Sequence, residues 1–179
     1  MSTPSMVRHV MVAGLLALTA ASAGAQAAPE SLGTTDGRWR MMTLDGVPVE
    51  LAGFRGDILV LNVWATWCRP CVTEMPSLQA LHEAFAGRGV RVLAVAADRP
   101  GPVNRFLRRH QLDLPVFLES DPFPPALGVS AVPTTLVVDQ RGNIVLRHRG
   151  AADWNRPEVH AFLEALLAGP GAGRKGSSR

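Results

Sequence analysis

The sequence predicts a three-layer α/β domain: a mixed central sheet flanked by helices, with an N-terminal hairpin and a short inserted helix–strand segment. Three observations carry that expectation. Two mostly apolar runs, Ile58–Trp64 and Val90–Ala96, read as buried strands of the kind found in parallel sheets. Between them Met75, Leu78, Leu81 and Phe85 recur at helical spacing. A further helix and strand, then a hairpin and a closing helix, complete the chain without any internal repeat.

The amino-terminal stretch is expected to lie outside that domain. Residues 1–9 carry Arg8 and no acid, Val10 to Ala21 is apolar, and Ala23-Gly24-Ala25 or Ala25-Gln26-Ala27 fits a small-residue cleavage site. Residues 1–25 therefore read as a signal peptide, cleaved after residue 25 or 27. The alternative is an uncleaved membrane anchor, although the apolar portion is short for a span of about 20 residues. No cysteine directly follows the apolar run, which excludes lipid attachment at a cysteine there. In either form the folded part is expected to be exported, in the periplasm or otherwise outside the cytosol.

About 150 residues remain, enough for one domain with a proper core. The net charge of +3 gives a misleading impression of a basic protein. Arg8, Arg174, Lys175 and Arg179 lie in the leader and the tail, leaving fourteen basic against fifteen acidic residues in the body. That balance indicates no concentrated basic face, and nucleic acid is not expected as a partner.

Residues 26–37 are small and polar and read as a flexible lead-in to a domain spanning 38–168. Arg38–Leu44 and Val47–Val49 flank an Asp45-Gly46 turn and form a hairpin. Pro48 assigns the second arm to an edge, and Leu51–Gly56 reads as a turn or short helical segment. Pro76 is expected to bend the helix after the first buried strand, and Gly87 and Gly89 to end it. Val103–His110 reads as a helix with Phe106 and Leu107 inward, Pro115–Leu118 as a short strand, and Asp121–Pro125 as a rigid loop. Leu136–Val138 and Ile144–Arg149 are strands joined by a turn at Gln140–Asn143. The last helix, Pro157–Leu167, carries Val159, Phe162, Leu163, Leu166 and Leu167 on one side. The tail, 169–179, is rich in Gly, Ser and Arg and is expected to be disordered.

The chemistry concentrates in Trp64-Ala65-Thr66-Trp67-Cys68-Arg69-Pro70-Cys71, which holds the only two cysteines in the sequence. The pair sits where a buried strand turns into a helix, with Pro70 inside the first helical turn, where a missing N–H costs nothing. A sulfur at a helix N-terminus meets unpaired N–H groups and the positive end of the dipole, so its thiolate is favoured. Cys68 is expected to be the exposed, activated thiol and Cys71 the more buried one that attacks a mixed disulfide on Cys68. Arg69 either adds positive potential or is simply solvated. Two linking residues close too small a loop to restrain the fold, so the pair reads as redox-active rather than as a staple. A structural zinc site needs four ligands, and no second Cys pair or His-x-x-x-His is present, so no metal or cofactor is expected.

With these residues in view, the chain resembles the thioredoxin superfamily, and more narrowly the exported thiol-disulfide reductases of the TlpA/ResA type that include the cytochrome c maturation thioredoxins. The resemblance covers roughly Arg38 to Leu167. It rests on the octet, on Glu74-Met75-Pro76, and on Gly128-Val129 ahead of Val132-Pro133-Thr134-Thr135. It implies a thioredoxin-like fold and a protein-disulfide reductase, with Cys68 attacking, Cys71 resolving, and Pro133 cis opposite the disulfide. Asn62 stands where thioredoxins themselves carry a buried acid. Glu74, one turn past Cys71, is implied as a proton acceptor; the competing reading is a first-turn Glu that complements the helix dipole. Trp64 and Trp67 are expected to pack around the site, and His82, His110, His148 and His160 to be scattered surface residues.

The resemblance further implies protein disulfide substrates such as apocytochrome c or copper-site proteins, a membrane electron donor of the DsbD/CcdA type, and a monomer. An oxidase or isomerase of the same fold shares all the chemistry and differs in potential by roughly 100 mV. A copper metallochaperone would want wider cysteine spacing and a histidine near the site. A peroxidase reading needs Thr three residues before the reactive cysteine, whereas Thr66 is two before Cys68.

Overall fold

The fully buried strand β3 (Ile58–Trp64) dictates the architecture, because a strand covered on both faces must sit inside a sheet with a layer on each side. The computed structural model of the protein describes residues 31–35 and 37–169. The signal peptide expected over 1–25 and all of the tail after Gly169 lie outside the described residues. The other strands are β1 (Arg40–Thr43), β2 (Pro48–Glu50), β4 (Val90–Ala96), β5 (Val116–Glu119), β6 (Thr134–Val138) and β7 (Ile144–Arg149). The helices are α1 (Arg69–Ala84), α2 (Pro100–His110) and α3 (Pro157–Ala168).

Seven strands form one mixed sheet in the order β2-β1-β5-β4-β3-β6-β7. Strands β3, β4 and β5 are parallel, and β6 lies antiparallel to β3 on its other side. Because β3, β4 and β5 step across the sheet in one direction, right-handed crossovers put α1 and α2 on the same face. Helix α3 joins them: Met75, Leu78 and Leu81 of α1, Val103 of α2 and Leu163 of α3 share one core cluster with Ile58, Val60 and Trp64. The opposite face is covered without a long helix. Leu59, Leu61, Leu93, Val95 and Leu136 pack there against Trp39, Leu51 and Leu127. Two 3-10 turns, Leu51–Phe54 and Pro125–Leu127, carry that outer layer. The mixed α/β sheet is as expected, and the second flanking layer is thinner than a helix.

The local expectations translate closely. β2 is the sheet edge, and Pro48 sits on it, where no ladder donor is required. α2 begins at Pro100 rather than Val103, because Arg99 is extended and proline suits the first helical position. α1 continues through Pro76, which is exposed, and ends at Ala84, ahead of Gly87 and Gly89. The end of the lead-in is tied down. Leu32 N–H donates to the Ile144 carbonyl at 2.7 Å and Ile144 N–H to the Gly33 carbonyl at 2.8 Å, which covers a corner of edge strand β7.

Gly128 closes the second 3-10 turn in the left-handed region, at φ +59°. A Cβ there would stand 2.9 Å from the Arg147 guanidinium carbon. That side chain cannot swing away freely, since it donates to the carbonyls of Leu127 and Ala126, both at 3.0 Å. Gly46 has a similar backbone, φ +84°, with open space beside it. Gly46→Ala should therefore cost about 1 kcal/mol of backbone strain. Gly128→Ala should cost about 1 kcal/mol more through the displaced arginine bonds. Urea denaturation of the two variants checks this; equal losses would contradict the account.

Candidate active site

Strand β3 ends at Trp64, and the chain needs only Ala65, Thr66 and Trp67 to reach α1. Cys68 N–H bonds the Ala65 carbonyl at 3.1 Å, which folds this loop into a tight turn. Cys68 is the extended N-cap of α1: its Sγ accepts the Cys71 N–H at 3.3 Å, and its carbonyl accepts Val72 N–H at 3.1 Å. The two sulfurs are joined at 2.06 Å across a Cα separation of 5.3 Å. Both therefore lie at the positive end of α1, with Pro70 in its first turn. Cys68 is 6% exposed and Cys71 not at all, so Cys68 is the more accessible but far more enclosed than the sequence suggested. Trp67 beside it is 70% exposed and Arg69 is also on the surface, while Trp64 is buried against Phe106.

A residue outside the cysteine octet holds this loop. Asp98, just past β4, accepts the Thr66 N–H at 2.6 Å, and Ala97 N–H donates to the Trp64 carbonyl at 2.9 Å. The signal was the parallel register of β3 and β4, which brings their C-terminal ends together. Glu119, at the end of β5, lines the same shallow depression as Asp98, and partial burial raises its carboxyl above the ordinary range.

Glu74 does not sit in the first turn of α1, and it is only 2% exposed. Its carboxylate is surrounded by donors. Oε1 accepts from Asn62 Nδ2 at 2.8 Å, and Oε2 accepts from the Ala152 N–H at 3.1 Å and the Trp154 indole N–H at 3.0 Å. Asn62 Nδ2 also donates to Thr135 Oγ1 at 2.9 Å, while Asn62 Oδ1 and the Trp64 indole N–H are buried without a partner among the described residues. This arrangement removes the dipole-complement reading of Glu74: a surface acid near a helix end needs no such set of bonds.

The Val132–Pro133 peptide is cis and Pro133 is buried. Val132 packs against the cluster that contains Cys68 and Cys71. The Pro133 carbonyl accepts the Gly150 N–H at 3.0 Å, so the loop after β7 touches both Pro133 and Glu74. Sequence reasoning missed Trp154 altogether, and three of the four histidines expected at the surface, His82, His148 and His160, are half-buried. The rings of His148 and His160 lie against Trp154 and Phe85 respectively.

A family model described as AhpC/TSA matches residues 26–147. The chain belongs to the AhpC/TSA family. It is similar to a thiol-disulfide oxidoreductase ResA of Halalkalibacterium halodurans, 35% identical over 125 residues that span 69% of this chain and 70% of the relative. A ResA of Geobacillus kaustophilus is 30% identical over 138 residues, 76% of this chain and 78% of that one. A solved thiol:disulfide interchange protein, thioredoxin family protein, from Chlorobium tepidum superposes with a TM-score of 0.59 at 24% identity. The superposition covers 78% of this chain and 99% of that one, and it bears on the fold. This member of the family is thus a thiol-disulfide oxidoreductase with a thioredoxin-like fold, as the resemblance implied.

The Asp98 bond generates a direct expectation. Asp98→Ala leaves the Thr66 N–H without its acceptor, a charged-group bond worth about 1.5–3 kcal/mol. Amide hydrogen exchange at Thr66 should accelerate at least tenfold while strand β3 keeps its protection. Unchanged Thr66 exchange would show that Asp98 does not hold the loop.

Proposed function

We propose that this chain is an exported protein-disulfide reductase whose working pair is Cys68 and Cys71. The placement of Cys68 as the N-cap of α1, its sulfur accepting the Cys71 N–H, is the observation that carries the reading. The same N–H and the helix dipole favour a thiolate at Cys68 once the disulfide is opened. That thiolate attacks one sulfur of a target disulfide, forms the mixed disulfide, and releases the first target thiolate, which takes up a proton. Cys71 then gives up its proton and attacks Cys68 Sγ. The Cys68–Cys71 disulfide reforms, and the second target sulfur leaves as a thiolate. Two electrons pass from the pair to the target, and a membrane dithiol donor of the DsbD/CcdA type returns them.

Glu74 is assigned the proton from Cys71. It lies three residues further along α1, on the same side of the helix, and its buried carboxylate is held ready by donors. Pro133 is assigned the substrate-facing loop, with the Val132 backbone offered to an extended segment of the target. Export follows from the leader reading; among the described residues no helix is long and apolar enough to cross a membrane. Within the substrate class, apocytochrome c or a copper-site protein is the proposed target, and the chain is proposed to act as a monomer.

Cys68→Ser should abolish insulin-disulfide reduction, whereas Cys71→Ser should accumulate as mixed disulfides visible by mass spectrometry. Alkylation of the reduced protein should modify Cys68 first; faster labelling of Cys71 would reverse the two roles. For Glu74, replacement by Gln keeps size and helix preference but removes the charge. Exchange rates near neutral pH should fall about a hundredfold or more, the range of general-base contributions. Matching pH–rate profiles for the parent and Glu74→Gln would remove Glu74 from the mechanism.

A further inference from the structure

Two of the three donors to the Glu74 carboxylate come from the loop between β7 and α3, Gly150 to Arg156. Ala152 supplies a backbone N–H and Trp154 its indole N–H. The backbone N–H of Trp154 also donates to Ser77 Oγ at 3.0 Å, and that hydroxyl donates to the Glu74 carbonyl at 2.7 Å. At its other end the loop bonds the Pro133 carbonyl through Gly150. One short segment thus grips the acid of α1 from both its side chain and its backbone, and also holds the cis-proline turn. An indole has no acceptor, so at this site it can only donate to the acid. A bond donated to a carboxylate favours its charged form.

We infer that Trp154 is a positioning residue for thiol exchange, acting through Glu74: its indole N–H fixes the carboxylate in the orientation that receives the Cys71 proton. This rests on the proton-acceptor role proposed for Glu74. Phenylalanine keeps an aromatic ring at this position, with less volume, and removes the donor.

The other ionisable groups around the indole and the acid are few. Cys68 and Cys71 stand at the start of α1, and His148 of β7 meets the indole edge-to-face at 5.5 Å between centroids. Asp153 is in the loop itself, and Arg147, Arg156 and Glu158 line the groove outside Trp154. β3 and β6 present only the uncharged Asn62 and Thr135.

The test measures disulfide-exchange rate against pH for the full chain, as parent, W154F, E74Q, H148Q and the W154F/E74Q double variant. W154F should move the acid limb of the profile to higher pH by about one unit, the size expected when a carboxylate loses one of its donors. In the E74Q background W154F should add no further shift, and H148Q alone should leave the limb in place. A W154F profile that overlies the parent while E74Q differs would overturn the inference and leave the Glu74 assignment standing. The inference is equally overturned if the W154F shift persists without Glu74, or if H148Q reproduces it. An E74Q profile equal to the parent would fail the underlying assignment instead, and the inference with it. Should W154F not fold, nitrogen-15 spectra of parent and E74Q decide. The Trp154 indole N–H, assigned through its proximity to the His148 ring, should move with pH in the reduced parent and stay fixed in E74Q. A resonance that is pH-independent in the parent would overturn the inference.

Discussion

A carboxylate inside a sheet-and-helix core is tolerable only when donors surround it, and Glu74 draws its donors from parts of the chain far apart in sequence. Left unpaired, such an ion would cost several kcal/mol, and each bond donated to it returns about 1.5–3 kcal/mol. Asn62 reaches it from the central strand, while Ala152 and Trp154 reach it from the loop ahead of α3. The register of β3 with β6 and the return of α3 to the α1 face must therefore both be right before the acid can be buried. The same bonds tie the helix that carries the cysteines to the loop that holds Pro133.

The cysteine pair depends on a second, more local arrangement. Parallel strands β3 and β4 end side by side, and open α/β sheets place their chemistry outside the carboxyl ends of such strands. Asp98 uses that proximity to fasten the Thr66 backbone, which leaves Cys68 at the cap of α1 and Trp67 projecting into solvent. The sulfur is enclosed on the protein side by the core cluster and approachable on the other. An exposed apolar ring next to a largely enclosed disulfide suits contact with a protein segment better than with a small polar molecule.

Much of this was legible in the residues. β3 and β4 are near-continuous apolar runs, so their limits followed from composition alone, and β7 was bracketed by a polar turn and a glycine. The cysteine pair at a strand-to-helix junction identified the chemistry, because few other settings bring two thiols to a helix N-terminus. Element ends shifted where proline chemistry competed with periodicity, as at Pro100.

By itself, then, the sequence determined the strand–helix order, the position of the cysteine pair and the turn that carries Pro133, since each is encoded within a few consecutive residues. Only the tertiary structure decided what Glu74 is. Three residues past Cys71 an acid can face water or the core, and the choice depends on whether Asn62, Ala152 and Trp154 converge on it, 12, 78 and 80 residues away along the chain. The same holds for Asp98 and Thr66, and for the placement of all three helices on one face. Hydrogen bonds between distant segments leave no periodic trace in the sequence; they appear only when the sheet register brings their partners together.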